Sequence, residues 1–463
     1  MKKILNKKML ISILIFLLLG LNIIPIINGS ITMNIHNKNI KQSNKKYLSI
    51  KNKIESRNEN MYRFNVLAPW DFFGISVSIS GENAIVGAMG DNLGTGSAYI
   101  FNKNGNQWFK VAKIRNTFFS PDAWFGLSVS IDNNYAIVSA PMVRNDTGEA
   151  YVFERDGISW IKKAILSPSD AKPGYTIGFM SGVSISGDYA IVGAPGGINE
   201  SGIDTGLAYV FKRNEDTWKQ VQKLTPSKGE PGGGFGFSIS VNGDYAIISS
   251  LGSINTSGLA FIFKRNNNNW EEMQILNVSD GEGEDIFGIC VSMDDDYAVV
   301  GAEGENNETG AAYVFKRSDM NWTLDAILTA YDGEDRDGFA WSLSNSGDYI
   351  IIGAFNDDFG SAYIFKRSIS SWDFDEKIIA YDQEKPSWFG YSVSIDGDYA
   401  CIGAPEDSTT GAAYIYKRYD TGWTLDKRIT AQKGRSRDVI KQNIFSRFDN
   451  IFPILQKILN YIL

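Results

Sequence analysis

Phe73-Gly-Ile-Ser-Val-Ser-Ile-Ser80 decides the fold, because stretches of the same character recur along the chain. The others start at Phe125, Phe179, Phe235, Phe287, Phe339 and Phe389, at intervals of 50 to 56 residues. Bulky apolar residues (Phe73, Ile75, Val77, Ile79) alternate with small ones (Gly74, Ser76, Ser78, Ser80), the period-two signature of a strand with two different faces. A tight turn such as Ser186-Gly187-Asp188-Tyr189 follows, then a second strand of the type Ala190-Ile-Val-Gly-Ala-Pro195. A Gly-rich loop of variable length leads to a third strand, Gly206-Leu-Ala-Tyr-Val-Phe-Lys-Arg213 in one copy. The fourth strand opens on Trp108, Trp160, Trp218, Trp270, Trp322, Trp372 or Trp423. Seven units of four short strands predict an all-β fold: one seven-bladed β-propeller of four-stranded antiparallel blades over residues 61–431.

The alternation also says how blades pack. Adjacent blades are closest near the axis, so the bulky face of one first strand meets the small face of its neighbour. The seven Trp and third-strand aromatics such as Tyr313 and Phe315 lie further out, where blades diverge, and read as core rather than as sugar platforms. Cys290 and Cys401 replace Ser and Ile at regular strand positions and read as small buried residues, with no disulfide expected. Trp423 to Ala431 is expected to complete the last blade, which leaves Tyr62 to Pro69, similar to the end of a fourth strand, as surplus.

Phe-Gly-x-Ser-Val followed by Gly-Ala-Pro resembles the FG-GAP repeat of integrin α-subunit propellers and prokaryotic secreted proteins, over about residues 62–431. Some copies depart from the pattern. Met180 and Ala340 stand where Gly is expected, and Ser249-Ser250-Leu251 and Gly353-Ala354-Phe355 replace Gly-Ala-Pro. The resemblance implies a Ca²⁺ loop of the D-x-D-x-D-G kind between first and second strands. Here that connection is a turn, as in Asp294-Asp-Asp296 or Asp396-Gly-Asp398, with too few carboxylates for the six to eight oxygens Ca²⁺ takes. The family's calcium sites are therefore not carried over, and no cofactor or metal is expected.

The ends differ from the body. Lys2, Lys3, Lys7 and Lys8 precede an apolar run, Met9 to Ile27, so residues 1–29 read as a signal peptide or an uncleaved membrane anchor helix. Either places the remainder outside the membrane, secreted or at the cell surface. Residues 30–60 read as a flexible basic linker. In residues 432–463 a basic linker leads to apolar residues at Ile440, Ile444, Phe448, Ile451, Leu455, Leu459 and Ile462, the spacing of a short amphipathic helical tail. That tail docks on the propeller, binds a partner or lies on a membrane. The net charge of −8 conceals an acidic body, 49 Asp or Glu against 28 Lys or Arg over residues 60–431. Such a body excludes nucleic acid as a partner and suits cations or basic surfaces.

Chemistry is bounded by the single histidine, His36, which lies in the linker and so rules out His-based triads and H-E-x-x-H zinc sites in the body. The second-to-third-strand loops and the blade connections emerge on one face, and loops on a rigid scaffold carry binding. Two successive connections supply the candidate ligand-binding acids: Asp280, Glu282, Glu284 and Asp285, then Asp332, Glu334, Asp335 and Asp337. Bound Ca²⁺ there is the alternative to a solvated acidic loop. Sequons at Asn145, Asn199, Asn255, Asn277, Asn307 and Asn321 are candidate glycosylation sites. The main expectation is a monomeric, non-catalytic adhesion or recognition module that binds a surface protein or glycan through its loop face. A carboxylate-dependent glycan hydrolase or lyase, recognisable by two acids about 5 to 10 Å apart at the channel mouth, and a structural envelope component are the alternatives.

Overall fold

The computed structural model describes residues 71–116, 120–252, 257–278, 285–380, 387–408 and 410–431. The predicted N-terminal signal or anchor, the basic linker, Tyr62 to Pro69 and the C-terminal tail lie outside the described residues. Seven four-stranded antiparallel sheets follow one another, each built from four consecutive strands in the order of the chain. The first blade consists of β1 (Phe73–Ser80), β2 (Asn83–Ala88), β3 (Ser97–Asn104) and β4 (Gln107–Ile114). The seventh consists of Ser392–Asp396, Tyr399–Ala404, Ala412–Tyr419 and Gly422–Ile429, so its fourth strand is the C-terminal one, as expected.

Each hydrophobic cluster lies between two blades. Phe73, Val77 and Ile79 pack with Cys401, Ala413 and Ile415 of the seventh blade, and six further clusters repeat this junction around the ring. The outer Trp residues are core, as the sequence predicts. Trp270 stands edge-on to Tyr189 of the preceding blade, 5.8 Å between ring centroids, and Trp108 closes the circle on Tyr399 at 5.7 Å.

The small face does more than leave room. One serine in each first strand accepts a hydrogen bond from a backbone N–H of the next blade: Ser78 from Ile131 at 3.1 Å, Ser130 from Ile185 at 3.3 Å, Ser184 from Val241 at 3.0 Å. Ser240, Ser292 and Ser344 continue the series, and Ser394 of the seventh blade accepts from Ile79 of the first at 3.1 Å. Strands at the axis cannot pair edge to edge with another blade, and a buried N–H without a partner is costly, so a hydroxyl of fixed reach is the simplest way to satisfy it. Size alone does not demand Ser at these positions; the amide does. Cys290 keeps a weaker version of a related bond, its thiol donating to the Ala340 carbonyl at 3.1 Å, and both cysteines are buried and unbridged.

The Phe-Gly pair is a turn rather than the start of a regular ladder. The Ile75 N–H donates to the Phe72 carbonyl at 3.0 Å, with Gly74 at φ 96°. A β-carbon there would lie 2.2 Å from the Ala412 carbonyl oxygen of the neighbouring blade, which is why the position is glycine. This geometry corrects the third copy. Its glycine is Gly178, at φ 76° and donating to Gly193 at 2.7 Å, and Ile177 takes the place of Phe, bridging to Gly148 as Phe125 does to Gly96. Met180 therefore does not replace the glycine; the third blade carries an insertion after Phe179. Ala340 does replace it, and adopts φ 67° with a side chain that disfavours it.

Candidate functional site

The second-to-third-strand loops and the blade connections share one face, where the first strands begin. Several acids of this face are already neutralised. Asp91 pairs with Lys113 at 2.5 Å, Glu149 with Arg144 at 2.8 Å, and Asp407 with Arg428 at 2.8 Å. Lys377 holds both Asp332 at 2.9 Å and Asp357 at 2.7 Å, and the single proton of the Tyr363 hydroxyl lies within hydrogen-bond reach of either acid. Burial and the neighbouring carboxylates hold the Tyr363 hydroxyl protonated. These groups pin each loop to the strands beneath it.

The predicted acidic set consequently splits. Asp280, Glu282 and Glu284 lie outside the described residues. Asp285 is buried, Asp332 is neutralised by Lys377, and Glu334 and Asp335 are exposed. Asp337 is buried and accepts the Glu334 N–H at 2.7 Å, so it is spent on the shape of its own loop. Among the described residues no three acids, cysteines or histidines gather closely enough to hold a metal ion. Of the sequons, Asn145, Asn277 and Asn321 are exposed. Asn199 is half-buried, its carboxamide oxygen accepting the N–H groups of Ser201 and Ile203, both at 3.0 Å. Asn255 lies outside the described residues, and Asn307 sits in the short helical turn Glu305–Glu308.

A different set of groups lies beside the loop-face ends of the first and second strands. No Lys or Arg occurs in the first or second strand of any blade. The acids of this inner zone lack the ion pairs found further out. Burial pushes the carboxyls of Asp71, Glu303 and Glu406 up to about 7, with Asp91 adding to the rise at Asp71 and Glu308 at Glu303. Glu303 occupies the place that is Pro141, Pro195 and Pro405 in other blades. Neither Asp71 oxygen nor Oε2 of Glu303 has a hydrogen-bond partner among the described residues.

The residue before each Phe-Gly turn is left-handed in all seven blades: Phe72, Trp124, Thr176, Gly234, Ile286, Gly338 and Trp388, with φ from 50° to 67°. For the five that are not glycine this costs about 1–2 kcal/mol each, strain of the kind that collects at functional sites. Aromatic residues that do not belong to the repeat gather beside this ring. Trp341, Phe355, Trp388 and Tyr391 form a contiguous cluster, with centroid separations of 5.1 Å for Trp341–Phe355, 5.5 Å for Phe355–Tyr391 and 5.6 Å for Trp388–Tyr391. Trp341, Phe355 and Trp388 are only half-buried. The cluster borders a cavity of about 180 Å³ along the axis, lined by first strands of every blade. Sequence reasoning passed over these residues. The available signal was Trp out of register: besides the seven repeat Trp, the chain has Trp70, Trp124, Trp341 and Trp388, each within three residues of a Phe at a repeat start.

The sequence model of the FG-GAP repeat matches residues 67–101, 108–153, 160–211, 218–263, 270–315, 322–365 and 372–416, more than half of the chain. Its frame runs from the fourth strand of one blade to the third strand of the next. A search of curated proteins finds no match.

Proposed function

The chain belongs to the FG-GAP repeat family, and on that footing we propose that it is an exported, non-catalytic recognition or adhesion module that takes a surface protein or glycan through the loop face of its propeller. The observation that carries this reading is where the repeat stops repeating. The turn face is nearly uniform: five of its junctions use the same Arg stacked on a Tyr of the preceding blade, as in Arg317 over Tyr245 at 4.4 Å and Arg418 over Tyr349 at 4.3 Å. The loop face has loops of different length, uncompensated carboxyls and a single aromatic cluster on blades six and seven. A scaffold that varies on one face alone is built to present that face. Export rests on the basic and apolar N-terminal sequence. The test is an array of surface proteins and glycans probed with the full chain. Binding that Trp388→Ala or Glu406→Gln weakens and Arg317→Lys leaves intact supports the reading. A blank array, or binding sensitive only to turn-face variants, overturns it.

A further inference from the structure

We propose that the axial channel of the propeller is a binding site for a neutral, ring-sized polyol, free or as the end of a surface glycan, held between Trp341 at the loop-face rim and two tiers of serine hydroxyls beneath it. This inference deepens the recognition reading above, on which its glycan arm rests, by naming a site and a ligand class.

The channel has room for such a ligand. The cavity along the axis has a volume of about 180 Å³ and is lined by first strands of all seven blades. About 150 Å³ is enough to hold a six-membered ring. In the first blade the residues from Ile75 to Ser78 all line it, a depth of about 10 Å at the rise of a strand. The residue two places after each repeat-start Phe lies at the loop-face rim; it is Ile75, Leu127 and Ile289 in three blades, but Trp341 in the sixth and Tyr391 in the seventh. Trp341 is half-buried, with 5.4 Å between its ring centroid and that of Tyr391, so one sector of the rim is aromatic and still reaches solvent.

Below the rim the serines divide by how their hydroxyls are used. Ser76, Ser342 and Ser392 donate to the carbonyls of Gly126, Gly390 and Gly74 at 2.8–2.9 Å, which leaves them only lone pairs to offer. Two residues deeper, Ser78, Ser130, Ser240, Ser344 and Ser394 accept a backbone N–H of the next blade, and their own protons meet no acceptor among the described residues. All eight line the cavity and are half-buried. The wall therefore offers a tier of acceptors above a tier of donors.

The chemistry selects among ligands. No Lys, Arg, His, Asp or Glu is among the residues that line the cavity, and burial holds the Cys290 thiol and the Tyr391 hydroxyl protonated, so the wall carries no charge. A charged ligand would give up its water with no counter-charge in return. An apolar one would take water from the serine protons and bring no acceptor. A neutral polyol meets neither obstacle. Its hydroxyls both donate and accept, which matches the two tiers, and the C–H face of its ring rests on Trp341.

The full chain is titrated with the methyl glycosides of glucose, galactose, mannose and N-acetylglucosamine and with myo-inositol, followed by tryptophan fluorescence and calorimetry. At least one of these is expected to bind; a glycoside assigns the channel to a glycan end, and inositol alone assigns it to a free polyol. Trp341→Ile, which places at this rim position the residue that blades one and five use, and Ser344→Ala, which removes one unused proton, are each expected to weaken binding by about tenfold. Urea midpoints of both variants separate loss of the site from loss of the fold. The proposal is overturned if no polyol binds, if binding ignores both substitutions, or if glucuronate or glucosamine binds as tightly as the neutral ligands. Array binding that persists while every polyol fails would sink the channel site and leave the recognition reading standing; a blank array would remove that reading while polyol binding in the channel stood on its own.

Discussion

Replacing Lys103 with Met tests how the ring is held shut. Among the described residues no strand crosses from the last blade to the first, so closure depends on side chains, on the Ser394 rung and on the Phe73 N–H, which donates to the Thr410 carbonyl at 2.9 Å. At five junctions an Arg reaches an exposed Asp of its own blade and stacks on the preceding blade's Tyr; Asp296, paired with Arg317, keeps 56% of its side chain exposed. At the closing junction Lys103 of the first blade reaches across to Asp426 of the seventh and lies 4.8 Å from the centre of the Tyr399 ring. The Trp108 indole also donates to Asp426, at 2.9 Å. The Lys103 side chain is 5% exposed and that of Asp426 is 15%. Burial lowers the ammonium pKa, but its bonds to Asp426 and Tyr399 outweigh this and leave it raised, so the lysine stays charged.

Removing the lysine leaves a half-buried carboxylate with one indole N–H. Breaking a buried pair in this way costs about 3–5 kcal/mol, and the surviving bond places the expectation near the lower figure, about 3 kcal/mol. Arg317→Met, at a junction screened by water, should cost about 1 kcal/mol. Urea midpoints at unchanged slope measure both. Adding Asp426→Asn to Lys103→Met should return most of the loss, since the unpaired charge is then gone. Hydrogen exchange should quicken first in the first and seventh blades. Equal losses from Lys103→Met and Arg317→Met, or exchange that quickens evenly around the ring, would refute closure by this pair.

Other expectations follow from the same geometry. Ser240→Ala removes one rung and strands the Met293 N–H, a loss of about 1–3 kcal/mol by urea midpoint; a loss no greater than that of an exposed Ser→Ala would show the rung to be incidental. Ala340→Gly relieves a left-handed alanine and should stabilise by about 0.5–1 kcal/mol, whereas Gly74→Ala drives a β-carbon into the Ala412 carbonyl and should be severely destabilising; the opposite order in melting temperature would contradict the turn assignment. Asp71, Glu303 and Glu406 hold protons in the folded chain at pH values where unfolded carboxyls have released them, so their contribution to stability falls as pH rises from about 4 to about 7. Glu303→Gln should gain about 2–3 kcal/mol at pH 8 and almost nothing near pH 4, and a gain equal at both would refute the assignment.

The blades were legible because each residue that builds them recurs seven times. Alternation in the first strand, Gly at the crowded turn and Trp at the fourth strand all state a physical requirement that every junction shares. Two things escaped for opposite reasons. The serine ladder recurs too, but Ser is both small and hydrogen-bonding, and spacing cannot say which property a position uses until the next blade's N–H is placed beside it. Phe179 misled because an aromatic immediately after Gly178 mimics the motif, and only the bond from Gly178 to Gly193 identifies the true turn. The candidate site escaped because it does not recur. Reading a repeat means averaging copies, and averaging erases Trp341, Tyr391 and Glu303, each ordinary as a residue and unusual only for its place. In a propeller the informative sequence is therefore what remains after the consensus is subtracted. The acidic connections survived neither step: repeated acids such as Asp332 and Asp337 serve the scaffold through Lys377 and the Glu334 amide. Of the carboxyl oxygens left without a partner among the described residues, Oε2 of Glu303 belongs to the residue that stands where other blades have proline.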